Sequence, residues 1–218
     1  MRTHKLSIIT INYNNAAGLQ KTIESVVSQS YEDFEYIIID GGSTDGSSGL
    51  IEKNLDKIAY WVSEPDNGIY NAMNKGIIQA KGEYCLFLNS GDWLVDTDVL
   101  KKVFSLEFKE AIIYGNVLKV NDSATSFVRD KSLQRSNLSL LDIYYNTLPH
   151  QSVFIKRELF EKHGLYDESF KIVSDWIFFL KTIGVEGVSV KYLDMDISYY
   201  DTNGFSSKNN SLRFEEKE

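Results

Sequence analysis

Four runs that are apolar at half or more of their positions, each separated from the next by a segment with helical spacing, limit this fold more than any other feature. The runs are KLSIITIN (5–12), FEYIIID (34–40), AYWVSE (59–64) and EYCLFLN (83–89). Between them, AGLQKTIESVVSQS (17–30) puts Leu19, Ile23, Val26 and Val27 on one helical stripe. TDGSSGLIEKNLDKI (44–58) does the same with Leu50, Ile51, Leu55 and Ile58. GIYNAMNKGIIQAKG (68–82) reads as a third helix stopping at Gly82. Strands that do not alternate polar with apolar must be covered on both faces. Helical crossovers between them imply a parallel sheet, so the fold class is α/β.

In sheets of this kind ligands bind beyond the carboxyl ends of the strands. The four ends (10–14, 40–45, 64–68 and 89–92) are all polar, and Asp40 and Asp92 each stand beside small residues. DGGSTDG (40–46) has neither the glycine pattern of a dinucleotide fold nor the Lys-Ser/Thr of a P-loop. Its Ser43 or Thr44 suits a helix cap. Asp40 could hold a base N–H or a ribose hydroxyl. A carboxylate there repels phosphate, so a nucleotide's phosphates need a cation elsewhere, and Asp92 could hold one.

The second half is less regular. It reads as a strand at 111–120, a polar hairpin or mobile loop at 121–137, a helix at 138–148, and a strand at 150–156. A short helix follows at 157–164, an aromatic-rich helix at 174–184 and a closing strand at 188–201. SLRFEEKE (211–218) reads as a frayed, charged terminus, and YYDTNGF (199–205), from composition alone, as a lid over a ligand.

Bulk properties remove several functions. A net charge of −8 argues against nucleic-acid binding, which needs a basic footprint. One cysteine, Cys85, gives no internal disulfide and suits a small buried hydrophobe. Three histidines and one cysteine give no zinc-finger spacing, so a metal site here would be oxygen-rich and suit Mg²⁺ or Mn²⁺. No apolar run approaches the roughly 20 residues of a membrane span. No signal peptide is visible at the start, so a cytoplasmic protein is expected, able to act at the inner face of the membrane through its substrate.

LSIITINYNN, FEYIIIDGGSTDG, EPDNGIYNAMNKGIIQAKGEYCLFLNSGDWL, PHQSVFIKRELFEKHGLYDESF and SDWIFFLKTIG follow one another in the order and spacing of the family-2 glycosyltransferases. The resemblance spans roughly residues 5 to 183 and is nearest to the bacterial branch that assembles capsular and cell-surface polysaccharides. It implies one GT-A catalytic domain over 1–218, with a nucleotide-sugar-binding half to about 95 and an acceptor-binding half from about 96. The implied reaction is inverting transfer of a sugar from a nucleotide diphosphate donor, usually a UDP-sugar, to a hydroxyl of a saccharide or lipid-linked saccharide.

Carried over residue by residue, Asp40 matches the acid that contacts the base, and Thr10 to Asn12 the strand end beside it. Asp66 and Asn67 match another wall of the nucleotide pocket, and Asp92 the last acid of the metal motif. Asp175 matches the general base at the start of the acceptor-side helix. The family often has acids where Gly41, Asn89 and Gly91 stand. With Asp92 alone, a metal would lean on diphosphate oxygens and water.

Each residue also has a plainer reading. Asp175 in a first helical turn suits the dipole, and Asp92 could be a turn residue. Asn89 and Ser90 either shape the turn or touch ribose. His150 and Gln151 are structural or reach the diphosphate or donor sugar. Lys75 reaches a phosphate or sits on a solvated face, and Trp176 is core or lines the acceptor site. Two rival functions stand beside the resemblance. A sugar nucleotidyltransferase would show a basic, glycine-rich loop, which INYNNAAGLQ lacks; a non-catalytic nucleotide-sugar-binding subunit would fit the thinned metal motif. Donor sugar, acceptor, a further C-terminal segment and homo-oligomer formation are left open.

Overall fold

The computed structural model describes residues 4–120, 127–130 and 132–217, and across them the alternating segments form one sheet of nine strands. β1 (Leu6–Asn12), β2 (Phe34–Asp40), β3 (Tyr60–Ser63) and β4 (Tyr84–Phe87) are joined by α1 (Ala16–Val27), α2 (Ser47–Glu52) and α3 (Ile69–Gln79). They pair in parallel in the order β3-β2-β1-β4. The chain first winds outward from β1 to β3, and α3 then returns it to the other side of β1. A switch point therefore lies between β1 and β4.

Successive residues of these strands serve opposite faces, as a pleated strand requires. Ile9, Ile37 and Phe87 join a core covered by α3, whereas Ile8, Ile38 and Leu86 join a core covered by α1 and α2. Continuous apolar sequence is the result of that two-sided burial.

Beyond β4 the sheet becomes mixed. The chain continues as β5 (Trp93–Leu94), α4 (Val99–Phe104), β6 (Ile112–Val120), β7 (Phe127–Arg129), α5 (Leu140–Tyr145) and β8 (Val153–Lys156). It closes with α6 (Glu158–His163), α7 (Ser174–Phe179), β9 (Val190–Asp201), α8 (Phe205–Lys208) and α9 (Asn210–Glu215). β8 runs antiparallel to both β4 and β6, and β9 runs parallel to β6. The rim that carries the carboxyl ends of β1 to β4 thus also carries the amino end of β8 and the carboxyl end of β9. A mainly parallel sheet holds for the first half only.

Several local expectations are corrected. α2 ends at Glu52, leaving Leu55 48% exposed. HQSVFIK begins as a 3₁₀ turn over His150–Ser152 before β8 starts. β5 and α4 were not foreseen. The polar connection is a hairpin where it is described, since β7 pairs antiparallel with β6; residues 121–126 and 131 lie outside the described residues. The terminus is docked, not frayed: the Glu216 carboxylate accepts the N–H groups of Lys171 and Ile172 at 2.7 and 2.9 Å.

Gly82 does not end α3, whose C-cap is Ala80. It allows a close backbone approach: a Cβ there would lie 2.5 Å from both the Leu6 carbonyl carbon and the Ser7 nitrogen. Backbone atoms of β1 cannot rotate away, so Gly82→Ala is expected to destabilise the protein by about 2–3 kcal/mol or more through overpacking. Urea denaturation checks this, and an unchanged midpoint would refute it.

Candidate active site

At the switch point Asn12 ends β1 and Asn89 follows β4, and the crevice between them opens into a cavity of about 720 Å³. Its walls include Asp66, Ser90, Asp92 and His150. A second cavity, of about 500 Å³, is lined by Asp175 and Trp176. Asn89, His150 and Gln151 line both, so the two cavities meet at these side chains.

The turn from Asn89 to Asp92 is tied to α1. The Thr22 hydroxyl donates to the Asp92 carbonyl (2.7 Å) and accepts the Gly91 N–H (3.1 Å), while Asn15 Nδ2 donates to the Ser90 carbonyl (3.0 Å). Gly91 has a φ of 105°, which explains a glycine where the related pattern often has an acid. At Gly41 a Cβ would stand 2.5 Å from Asp66 Oδ2, so a larger residue there would displace the Asp66 side chain. The Asp92 carboxylate is 5% exposed and accepts the Asp201 N–H at 3.0 Å. Burial pushes its pKa up to about 7, against the pull of His150 and the hydrogen bonds from Asp201 and Gln151.

His150 joins the two cavities chemically. Its Nδ1 lies 3.1 Å from Asp175 Oδ2, and its Nε2 lies 3.2 Å from Asn89 Nδ2. Because the amide donates to Nε2, the matching neutral tautomer carries its proton on Nδ1 and donates it to Asp175. Burial lowers the His150 pKa, yet Asp175 and Asp92 together raise it above its ordinary value. Asp175 is 9% exposed, and its Oδ1 accepts the Trp176 N–H (2.9 Å) with the Tyr70 hydroxyl at the same distance.

The other predicted residues separate into two groups. Asn12, Asp66, Asn67, Asn89, Ser90 and Gln151 line the first cavity with Asp92 and His150. Thr10 does not: it is fully buried, donating to the Leu88 carbonyl (2.7 Å) beside the Tyr36 hydroxyl (3.0 Å). Lys75 pairs with Glu64 at 2.7 Å and does not line the cavity. Trp176 lines only the second cavity, where its indole N–H donates to the Ile143 carbonyl at 2.7 Å.

Asp40 is fully buried, and both oxygens are filled. Oδ1 accepts from Asn12 Nδ2 (2.7 Å) and the Ser43 hydroxyl (2.6 Å); Oδ2 accepts from the Ser43 N–H (2.9 Å) and the Ser63 hydroxyl (2.6 Å). Burial raises its pKa, but these bonds outweigh burial and hold it below the ordinary carboxylate value. A base N–H reaches Asp40 only by taking the place of a serine hydroxyl.

Residues 7–164 match the family model for glycosyl transferase family 2. An uncharacterized glycosyltransferase of Mycobacterium tuberculosis is 34% identical over 207 residues, covering 93% of this chain and 77% of that protein. The chain belongs to glycosyl transferase family 2. A PGL/p-HBAD biosynthesis glycosyltransferase of Mycobacterium bovis is 28% identical over 218 residues, covering 97% of this chain and 82% of its own. The fold of this family-2 glycosyltransferase matches that of S. aureus TarS with a TM-score of 0.78 at 21% identity. The match covers 94% of this chain and 61% of the TarS chain, so the chain spans less than two thirds of that protein.

Three residues of the glycosyltransferase's site escaped the sequence reading. Asp201 fixes Asp92 through its N–H, Tyr70 reaches Asp175, and Lys171 lines both cavities. A strand-end rule extended to 188–201 would have found Asp201, and YYDTNGF does supply Tyr200, Asp201 and Phe205 to the first cavity wall.

Proposed function

We propose that this glycosyltransferase moves a sugar, with inversion, from a UDP-sugar to a hydroxyl of a saccharide or lipid-linked saccharide in bacterial surface-polysaccharide synthesis. One observation carries the reading: two cavities meet at His150, with a buried carboxylate, Asp92 or Asp175, on either side. The first cavity takes the donor, with Asn12, Asp66 and Asn67 around the nucleoside and the diphosphate toward Asp92. The second takes the acceptor. Asp175 accepts the acceptor's hydroxyl proton as that oxygen bonds to the anomeric carbon, and the bond to the diphosphate breaks with its electron pair leaving on UDP. His150, held by Asp175, keeps the carboxylate aimed and separates the two substrates. TarS has been solved with UDP-GlcNAc, which supports the choice of donor.

A Mg²⁺ or Mn²⁺ ion fits the donor side in a limited way. Among the described residues no three His, Cys, Asp or Glu side chains come together to hold a metal. Yet a carboxyl pushed up to about 7 by burial is short of positive charge, and Asp92 would hold the ion together with diphosphate oxygens and water. When bound it supplies Lewis-acid stabilisation to the leaving diphosphate. A related fold, the mannosyltransferase PcManGT of Pyrobaculum calidifontis, has been solved with GDP-Man and Mn²⁺ (TM-score 0.67, 16% identity). Residues to about 95 supply most of the donor wall, with side chains from 150–171 and 200–208 completing it. No helix among the described residues is long and apolar enough to cross a membrane, and we place the enzyme in the cytoplasm, meeting lipid-linked acceptors at the inner membrane face.

A panel of nucleotide-sugars read by thermal shift, with and without Mn²⁺, tests the donor. A UDP-sugar is expected to give the largest shift, and NMR of the product to show an anomeric configuration opposite to the donor's. Retained configuration, or no response to any UDP-sugar, would refute the proposal.

A further inference from the structure

We propose that the acceptor-side cavity is built for an anion, so that the acceptor carries a phosphate beside the hydroxyl that receives the sugar. The inference rests on the assignment of the second cavity to the acceptor. Although the chain has a net charge of −8, that cavity is lined by Lys119, Lys171, Arg213 and Lys217. They come from β6, the segment before α7, α9 and the residues after it, so no single basic run places them there.

The acids of the cavity wall are occupied. Asp130 pairs with Lys119 at 2.8 Å, and Asp175 faces His150 at 3.1 Å. The nearby Glu216 carboxylate is spent on two backbone N–H groups. Among the described residues no carboxylate oxygen lies within 4.0 Å of the Lys171 or Lys217 ammonium. Lys217 stands 4.3 Å from the centre of the Trp176 ring, one residue along the helix from Asp175. Burial, and then the neighbouring Arg213, lower its pKa against the opposing pull of Asp175. Arg213 and Lys217 repel one another across this cavity, and a bound anion offsets that repulsion. Lysines act as compact point charges, and with one arginine they suit a phosphate better than the two-pronged pairing that a carboxylate prefers.

Calorimetry on the protein saturated with UDP and Mn²⁺, which closes the donor cavity to phosphate, tests this. The probes are geranyl diphosphate, glycerol 3-phosphate, glucuronate and a neutral methyl glucoside, each at low and high salt. At least one phosphate probe is expected to bind, more weakly at high salt, and the Arg213→Gln/Lys217→Gln variant to lose at least about tenfold in that affinity. Neither residue lines the donor cavity, so the UDP affinity stays, and the charge-preserving Arg213→Lys/Lys217→Arg variant keeps phosphate binding. Binding of geranyl diphosphate alone would identify a lipid-linked phosphate, in keeping with the exposed ring of Tyr145, which α5 supplies to the cavity wall. Binding of both phosphates would identify the phosphate group itself. Equal binding of the neutral sugar, binding of glucuronate alone, or unchanged phosphate affinity in the glutamine variant would overturn the inference. Should UDP itself not bind, the donor assignment fails separately, and the same phosphate titrations on the free protein still decide the anion site.

Discussion

Replacing Asp175 with Asn is expected to leave UDP affinity unchanged and to lower the transfer rate by about 10²- to 10⁴-fold, the usual worth of a positioned general base. The substitution keeps the shape. Its amide oxygen can still accept from the Trp176 N–H and the Tyr70 hydroxyl, both now 2.9 Å from Oδ1. It removes the carboxylate that stands beside His150 in the second cavity, the group proposed to take the hydroxyl proton. Asp175 does not line the first cavity and reaches it only through its bond to His150, so donor binding is expected to change little. UDP release measured with saturating acceptor, beside calorimetry with UDP, separates the roles. Transfer at the wild-type rate would rule out Asp175 as the base. Loss of transfer together with loss of UDP binding would make it a structural support for His150.

The donor side was legible because parallel strands impose a rule. Once β1, β2 and β4 are known to run the same way, Asn12, Asp40 and Asn89 to Asp92 must share a rim, and they do. What the rule does not give is where a side chain's bonds go. Asp40 sits at its expected strand end, yet two serine hydroxyls, one of them from β3, fill its oxygens. Lys75 lies on the expected helix, but Glu64 is close enough to claim its charge. The acceptor side was less legible for a topological reason. β8 runs against its neighbours, so its beginning, not its end, reaches the rim and brings His150 there. The α9 segment returns to the site from more than thirty residues past Asp175, a distance over which sequence spacing carries no information. A charged tail read alone looks solvated; only docking shows that Glu216 is a clamp and that Arg213 and Lys217 face a cavity.

Asp92→Asn is expected to stabilise the protein at pH 8 while abolishing the gain in UDP affinity that Mn²⁺ provides. The sign follows from linkage. The folded carboxyl titrates at about 7 and the unfolded one near 3.8, so between these values the folded state binds more protons. Its contribution to stability is therefore fully present below about pH 4 and is lost as pH rises through 7. The loss amounts to at most about 4 kcal/mol. Asparagine cannot ionise, and its amide oxygen can still accept the Asp201 N–H now bound at 3.0 Å. The difference in Tm between variant and wild type should then grow from about pH 4 and level off above pH 7, reaching up to roughly 10 °C for a chain of this size. Mn²⁺ with UDP should narrow the gap by raising the wild type more than the variant, because a cation beside Asp92 favours its ionised form. Parallel Tm curves from pH 5 to 8 would show that Asp92 does not titrate there. A variant that keeps its Mn²⁺-dependent UDP affinity would take the carboxylate out of donor binding. A buried charge that the fold opposes and the ligand needs is the pattern of a functional group, and the two measurements together ask whether Asp92 is one.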